Sequence, residues 1–255
     1  MTAATIDLNC DLGEREDAAG IAADLALLEC VTSANIACGG HAGDERSMVR
    51  TVAAAMERGV ALGAHPGYPD RAHFGREAFA MALAELDDAM AAQVQALQRI
   101  VVRLGGALTH VKLHGALYHA AMRQPEIAEA VARGIGRLDQ SVILVGLAGA
   151  PALEAWRAMG FRVAAEAFAD RCYESDGSLR DRQELAALID DPQAAAAQAV
   201  GIAMASGLLA REGGFVNIQA ETIGLHSDTP HAVDIARAVR TALTHSGIRV
   251  EALLR

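Results

Sequence analysis

Short runs in which apolar and polar side chains alternate recur along the chain, separated by segments whose apolar residues return every three or four positions. The first pattern reads as β-strand and the second as amphipathic helix. Seven strands are expected, near residues 5–11, 31–38, 60–65, 109–114, 142–148, 162–168 and 221–226. Leu83, Leu86, Met90, Val94, Leu97, Val101 and Leu104 mark the clearest helix. Pro125 opens another, Pro151 opens one that Gly160 ends, and Thr229-Pro230 opens the last before Gly247. Residues 192–210 carry no charge and are nearly long enough to cross a bilayer. Asp191 and Pro192 read as a cap and first helical residue and Gly213 as a stop, so a packed soluble helix is expected.

The alternation also says which way the strands face. His110, Lys112 and His114 share one side of their strand, with Val111 and Leu113 on the other. In the first strand Asp7, Asn9 and Asp11 oppose Ile6, Leu8 and Cys10. Strands that are apolar outside and polar inside describe a barrel wrapped in helices. Strand ends or the loops after them carry Asp11, His41, His65, His114, Asp170 and His226. Such a ring is the barrel pattern, since a doubly wound sheet gathers its ligands at one switch point. The expected fold is a single α/β domain over residues 1–255, a TIM-like (β/α) barrel of seven strands, undivided by any linker or low-complexity tract.

Composition narrows the function. A net charge of -10 without a basic cluster excludes a nucleic-acid partner. The N-terminus lacks a basic segment followed by an apolar core, so a cytoplasmic protein outside the membrane is expected. The four cysteines form no CxxC pair, and Cys10 and Cys38 fall on outward, buried faces as small core residues.

Of 22 cationic residues only Lys112 is lysine. Lysine is a compact point charge whose pKa responds to its surroundings, unlike the broad arginine fork, and this one sits between two histidines on an inward face. Asp11, His41, His65 and His114 are candidates for general acid/base chemistry. Glu166, inward on its strand, is either a base or the ion-pair partner of Lys112. Arg76 and Arg171, after the third and sixth strands, are candidates for bidentate contacts or for surface pairing. No GxxxxGK[ST] loop is present, which excludes a P-loop. Gly39, Gly40 and Gly43 beside a helix start offer amides to an anion. His110 lies deeper in the barrel, where a core hydrogen bond is expected, while His73, His119, His231 and His245 suit solvated structural roles.

Long ordered blocks resemble the LamB/YcsF family: Asp7-Leu8-Asn9-Cys10-Asp11-Leu12-Gly13-Glu14, residues 32–44 from Thr32 through Gly39-Gly40-His41 to Asp44, and Gly63-Ala64-His65-Pro66-Gly67-Tyr68-Pro69-Asp70. The likeness continues through Phe74-Gly75-Arg76, His114-Gly115-Ala116-Leu117-Tyr118, Glu166-Ala167-Phe168-Ala169-Asp170-Arg171 and Asp176-Gly177-Ser178-Leu179. Three positions depart from the family pattern, which has phenylalanine at Gly40, proline at Leu113 and glycine at Ser227. The resemblance implies a seven-stranded barrel related to polysaccharide deacetylase barrels. It also implies the barrel subunit of an ATP-dependent 5-oxoprolinase, which cleaves 5-oxoproline to glutamate together with two further subunits. ATP, with magnesium or another divalent ion, is then the implied cofactor, and a second copy of the chain is a further candidate partner. In that chemistry Lys112 would neutralise phosphate or a developing oxyanion, and Asn9, Asn35, Arg76, Arg171, His226 and Asp228 would contact substrate or phosphate. Asp11 with His41 and His65 could instead hold a metal, as in deacetylase barrels; no HExxH spacing places two of these on one helix. Two alternatives stay open: a metal-dependent amide hydrolase without ATP, and a non-catalytic subunit that binds a lactam or sugar.

Overall fold

The alternating segments form strands because each can bury its apolar side under a helix while its polar side finds partners across a barrel. The computed structural model describes residues 4–182, 184–205, 207–210 and 213–253. In chain order the elements are β1 (Thr5–Leu12), α1 (Ala18–Leu28), β2 (Ser33–Ala37), α2 (Glu45–Glu57), β3 (Ala61–His65), α3 (Leu83–Arg103), β4 (Leu108–Lys112), α4 (Gly115–Arg123) and α5 (Pro125–Gly136). There follow β5 (Ile143–Leu147), α6 (Pro151–Ala158), β6 (Arg162–Phe168), α7 (Pro192–Ala203), β7 (Leu208–Leu209), β8 (Phe215–Val216), β9 (Thr222–Leu225), α8 (Ala232–His245) and β10 (Arg249–Val250). Strands β1-β2-β3-β4-β5-β6-β9 are hydrogen-bonded in that order and all parallel, and β9 closes on β1 with Asp7 opposite Thr222. This is the seven-strand barrel expected, each strand ending within two residues of its expected limits.

Outside the barrel, Leu8, Cys10, Ile36, Leu62, Ala64 and Val111 join the helices in one apolar core. Inside, Asp7, Asn9, Asp11, Ser33, Asn35, His110, Lys112, Glu166 and Thr222 are all buried. Asp7 accepts hydroxyl hydrogen bonds from Thr32 and Ser33, each at 2.7 Å, and from Thr222; burial raises its pKa. Above it His110 Nε2 donates to Asn35 Oδ1 at 2.8 Å, the core hydrogen bond expected for this residue. Burial, with Lys112 and His65 nearby, keeps His110 neutral down to about 3. Gly63 makes room for it, because a Cβ there would stand 2.1 Å from His110 Nε2. The lining is not polar throughout. Ile143 and Val145, opposite His110 and Lys112 on β5, cluster with Ala164 and Leu253 as a small apolar floor.

Two features depart from expectation. The helix opened by Asp191 and Pro192 does start there, with Asp191 Oδ1 accepting from Ala194 N at 2.7 Å, but it ends at Ala203 rather than near Gly213. Ala205 and Gly207 take positive φ of 49° and 84°, which the helix cannot continue through; position 206 of the expected stretch lies outside the described residues. Beyond it β7 and β8 form a hairpin, and β10 pairs with the start of β1. Two-residue strands are too short to show a period. None of the described helices is long and apolar enough to cross a membrane.

Candidate active site

The C-terminal ends of the barrel strands bring the ionisable residues together around Lys112. Its Nζ lies 2.8 Å from Glu166 Oε1, 3.0 Å from Asp11 Oδ1 and 3.2 Å from Asn9 Oδ1, with the side chain 3% exposed. Burial would lower its pKa; Asp11 and Glu166 outweigh burial and raise it, so the ammonium stays charged. Glu166 is held on three sides, by Lys112, by Asn9 Nδ2 at 3.0 Å and by the Tyr118 hydroxyl at 2.9 Å. Asn35 Nδ2 donates to both Asn9 Oδ1 and Asp11 Oδ1. Asn9, Asn35 and Glu166 therefore form the bed under Lys112 rather than part of the open cavity wall.

Glu14 reaches over this bed from the turn at Gly13, whose φ of +75° suits glycine. Its Oε1 lies 3.0 Å from His41 Nε2, 3.2 Å from His114 Nδ1 and 3.8 Å from His65 Nε2, and the last two nitrogens are 3.1 Å apart. His65 Nδ1 donates to the Lys112 carbonyl at 2.8 Å, and His114 Nε2 donates to the Phe74 carbonyl at 2.9 Å. Both rings must present a proton to those carbonyls, so in their neutral forms both turn a lone pair toward the Glu14 carboxylate. Three acceptors facing one another require a positive charge between them. Without a metal a proton fills this role: burial opposes it, but Asp11 and Glu14 raise the His65 pKa. His41 lies stacked on His114 with ring centroids 3.6 Å apart, and burial keeps it neutral down to about 4 against the pull of Glu14.

A metal fits the same place. In a tetrahedral site with bonds of 2.0–2.1 Å, ligand atoms stand about 3.3 Å from one another; Glu14 Oε1 lies 3.0 to 3.8 Å from the three histidine nitrogens, and all four ligand atoms fall within 4.8 Å of one another. The donor set is one carboxylate and three imidazoles, two of them already oriented by carbonyls on the opposite nitrogen, as metal-binding histidines usually are. The expected metal trio thus keeps His41 and His65, but Glu14 and His114 complete the cluster in place of Asp11. Asp11 gives Oδ1 to Lys112 and Asn35, and its Oδ2 lies 3.5 Å from His65 Nε2, beside the cluster. Burial raises its pKa, yet His65 and Lys112 hold it well below the usual carboxylate range.

Across the mouth, Asp170 accepts from His226 Nδ1 at 3.1 Å, from the His226 amide at 3.0 Å and from Thr229 Oγ1 at 2.7 Å. His226 is stacked on Phe168, with its ring plane and Nδ1 proton fixed. Asp11, Glu14, His65, Lys112, His114 and His226 face a common cavity of about 850 Å³. Arg76 and Arg182 both pair with Asp228 at its rim. The first and last of these were expected substrate contacts, and here they neutralise each other. Arg171 is buried on the cavity wall. Of the glycines after β2, Gly39 keeps its amide within the loop. Gly39 N donates to the Ala42 carbonyl, and α2 is capped by its own Asp44, which accepts from Ser47 N at 2.7 Å.

Asp24 anchors the turn that carries Glu14 by accepting from Gly13 N at 2.9 Å. Burial raises its pKa from 3.8 to about 6 despite that bond, and the Glu14 charge adds to the rise. A carboxyl with the higher pKa in the folded state binds its proton more tightly there. Its contribution is favourable at low pH and is lost as pH rises from about 4 to about 6, a change of about 3 kcal/mol. Asp24→Asn keeps an acceptor for Gly13 and is expected to remove that slope. Urea midpoints at pH 4 and pH 7 measure it; an unchanged pH dependence in the variant would contradict the assignment.

Fold and site together define a seven-stranded (β/α) barrel whose mouth gathers carboxylates, imidazoles and one buried ammonium. The family model described as LamB/YcsF matches residues 6–255, and the chain belongs to that family. It is 48% identical to the A subunit of 5-oxoprolinase from Chloroflexus aggregans, over 96% of this chain and 98% of that one. With the corresponding 5-oxoprolinase chain of Bacillus subtilis it shares 42% identity over 97% and 96% of the two chains. The crystal structure of a lactam utilization protein from Thermus thermophilus superposes with a TM-score of 0.92 at 38% identity, covering 98% of this chain and all of that one. The catalytic domain of a peptidoglycan N-acetylglucosamine deacetylase from Eubacterium rectale shares the fold at a TM-score of 0.51 and 10% identity, over 98% and 89% of the two chains.

Proposed function

We propose that this chain, acting as one barrel domain in the cytoplasm, opens the ring amide of 5-oxoproline to give glutamate as one subunit of an ATP-dependent complex with two partner subunits. The observation that carries the reading is the Glu14, His41, His65 and His114 cluster, three of whose members share one cavity with Asp11, Lys112 and His226, in a chain whose relatives are named as subunits of 5-oxoprolinase.

Hydrolysis adds water oxygen to the ring carbonyl carbon, breaks the C–N bond and delivers a proton to the departing nitrogen. Asp11, already ionised, is the base for the attacking water. Lys112 offsets negative charge that develops on the carbonyl oxygen, where one well-placed donor contributes roughly 10²- to 10³-fold in rate. His226, oriented by Asp170, is the acid that protonates the nitrogen. Glu14, His41, His65 and His114 would hold a divalent ion, which supplies Lewis-acid polarisation of an amide carbonyl. A five-membered lactam is a stable amide, so coupling to ATP supplies the driving force. Without a P-loop, the nucleotide is expected to be held at the cavity mouth or by a partner subunit.

Mixing the purified chain with its partner subunits, ATP and 5-oxoproline is expected to give glutamate, and no glutamate would reject the reading. The metal cluster also favours a second reading, an amide hydrolase that needs a divalent ion and no ATP. Turnover by the chain and metal alone, with ATP and partners omitted, would establish it. Full turnover in the complex after alanine replaces Asp11, Lys112 and His114 would instead mark a purely binding role.

A further inference from the structure

Most cations around the cavity are matched by carboxylates: Lys112 by Asp11 and Glu166, Arg76 and Arg182 by Asp228, and Arg180 by Glu174 and Glu184. Two touch no carboxylate among the described residues, Arg123 and Arg171, and both line the same cavity; Asp176 acts on the first only at longer range. Arg171 is the more telling. It is only 3% exposed, its Nη2 donates to the Arg180 carbonyl at 2.6 Å, and its Nε has no hydrogen-bond partner. Asp170 and Asp181 lie within electrostatic range, but the Asp170 oxygens spend their hydrogen bonds on His226 and Thr229 rather than on the guanidinium.

A buried guanidinium that touches no carboxylate and leaves Nε unpaired is costly, and a fold that keeps one leaves a place for an anion from outside. Arg123, in the last turn of α4, supplies a second fork, and His119 lies within electrostatic range of both. The guanidinium geometry matches a planar carboxylate. His226 shares this wall, so an anion there would sit beside the proton donor rather than beside the Glu14 cluster.

We propose that Arg171, assisted by Arg123, forms an oxyanion subsite that takes the carboxylate carried next to the ring nitrogen of the lactam. This rests on the lactam reading above and deepens it. It orients the ring with its nitrogen toward His226, and it makes the carboxylate a determinant of affinity. A phosphoryl group has the same oxyanion chemistry and is the competing source.

Equilibrium binding to the full chain separates these cases, with 5-oxoproline, 2-pyrrolidinone and inorganic phosphate as probes. The unsubstituted ring is expected to bind roughly 10- to 100-fold more weakly than 5-oxoproline, the size of a charge-assisted hydrogen bond. Arg171→Gln is expected to erase that difference while leaving 2-pyrrolidinone binding unchanged. Should Arg171→Gln fail to fold by circular dichroism, Arg123→Gln carries the same comparison, with a reduced preference as the supporting result. A preference kept in full by the folded variants overturns the subsite. Loss of phosphate binding with the 5-oxoproline preference intact overturns the carboxylate assignment. Failure of both lactams to bind the unaltered chain overturns subsite and lactam reading together. Binding through Arg171 without glutamate formation upholds the subsite and rejects only the hydrolytic role.

Discussion

Replacing Lys112 by methionine is expected to destabilise the chain by roughly 3–5 kcal/mol, because it strands the buried Glu166 carboxylate and leaves Asp11 with His65 alone, 3.5 Å away. Asp11 and Glu166 stand 3.0 and 2.8 Å from Nζ; Glu166 is cut off from water and Asp11 meets it only through the cavity. Lys112→Arg keeps the charge but forces a broad planar fork between Asn9, Asp11 and Glu166. Its stability cost is expected to be about 1–3 kcal/mol from overpacking, with turnover down by roughly 10²- to 10³-fold as donor and oxyanion lose register. Urea unfolding and glutamate production by the assembled complex measure the two effects separately. An arginine variant that turns over within a few-fold of the parent would show that the compact ammonium has no catalytic part.

Removing the Glu14 carboxylate is the other large perturbation. Glu14→Gln takes away the charge that balances a cation among three imidazoles. Affinity for a divalent ion is expected to fall by more than about 100-fold, beyond the 10- to 100-fold usual for outer-shell partners. Elemental analysis after dialysis is expected to show bound metal in the parent and none in the variant, and chelation of the parent is expected to abolish turnover. A chelated, metal-free parent at full activity would leave the cluster as a proton-transfer device only.

Much of this arrangement was legible in the sequence. Period-two alternation located all seven barrel strands and turned Asp7, Asn9, Asp11, His110 and Lys112 inward, because a polar side chain on a strand under a helix has only the barrel interior for its partners. The same rule is silent on β5, where Ile143 and Val145 face inward. A uniformly apolar strand carries no alternation to show its sides. Glu14 escaped because it opens the charged run Glu14-Arg15-Glu16-Asp17, whose other members are exposed; the signal was Gly13, which permits the turn that folds Glu14 back over the barrel. Tyr118 was visible only as the residue four places after His114, on the same helical face and thus above the same cavity. Arg76 and Arg171 looked equivalent in the sequence, yet one is neutralised at the rim and the other buried without a carboxylate. Pairing across loops 152 residues apart, as between Arg76 and Asp228, leaves no local pattern.

The seam between β1 and β9 sets when the site can exist at all. Asp7 waits for Thr222, 215 residues later, before the ring of strands is complete, and Asp170 waits for His226 in the same final segment. Joining such distant stretches is slow, since the entropy of a long loop is lost before the contact returns anything. Enzymatic competence should therefore be the last property regained on dilution from denaturant, lagging behind the helical signal of the earlier strand-helix units.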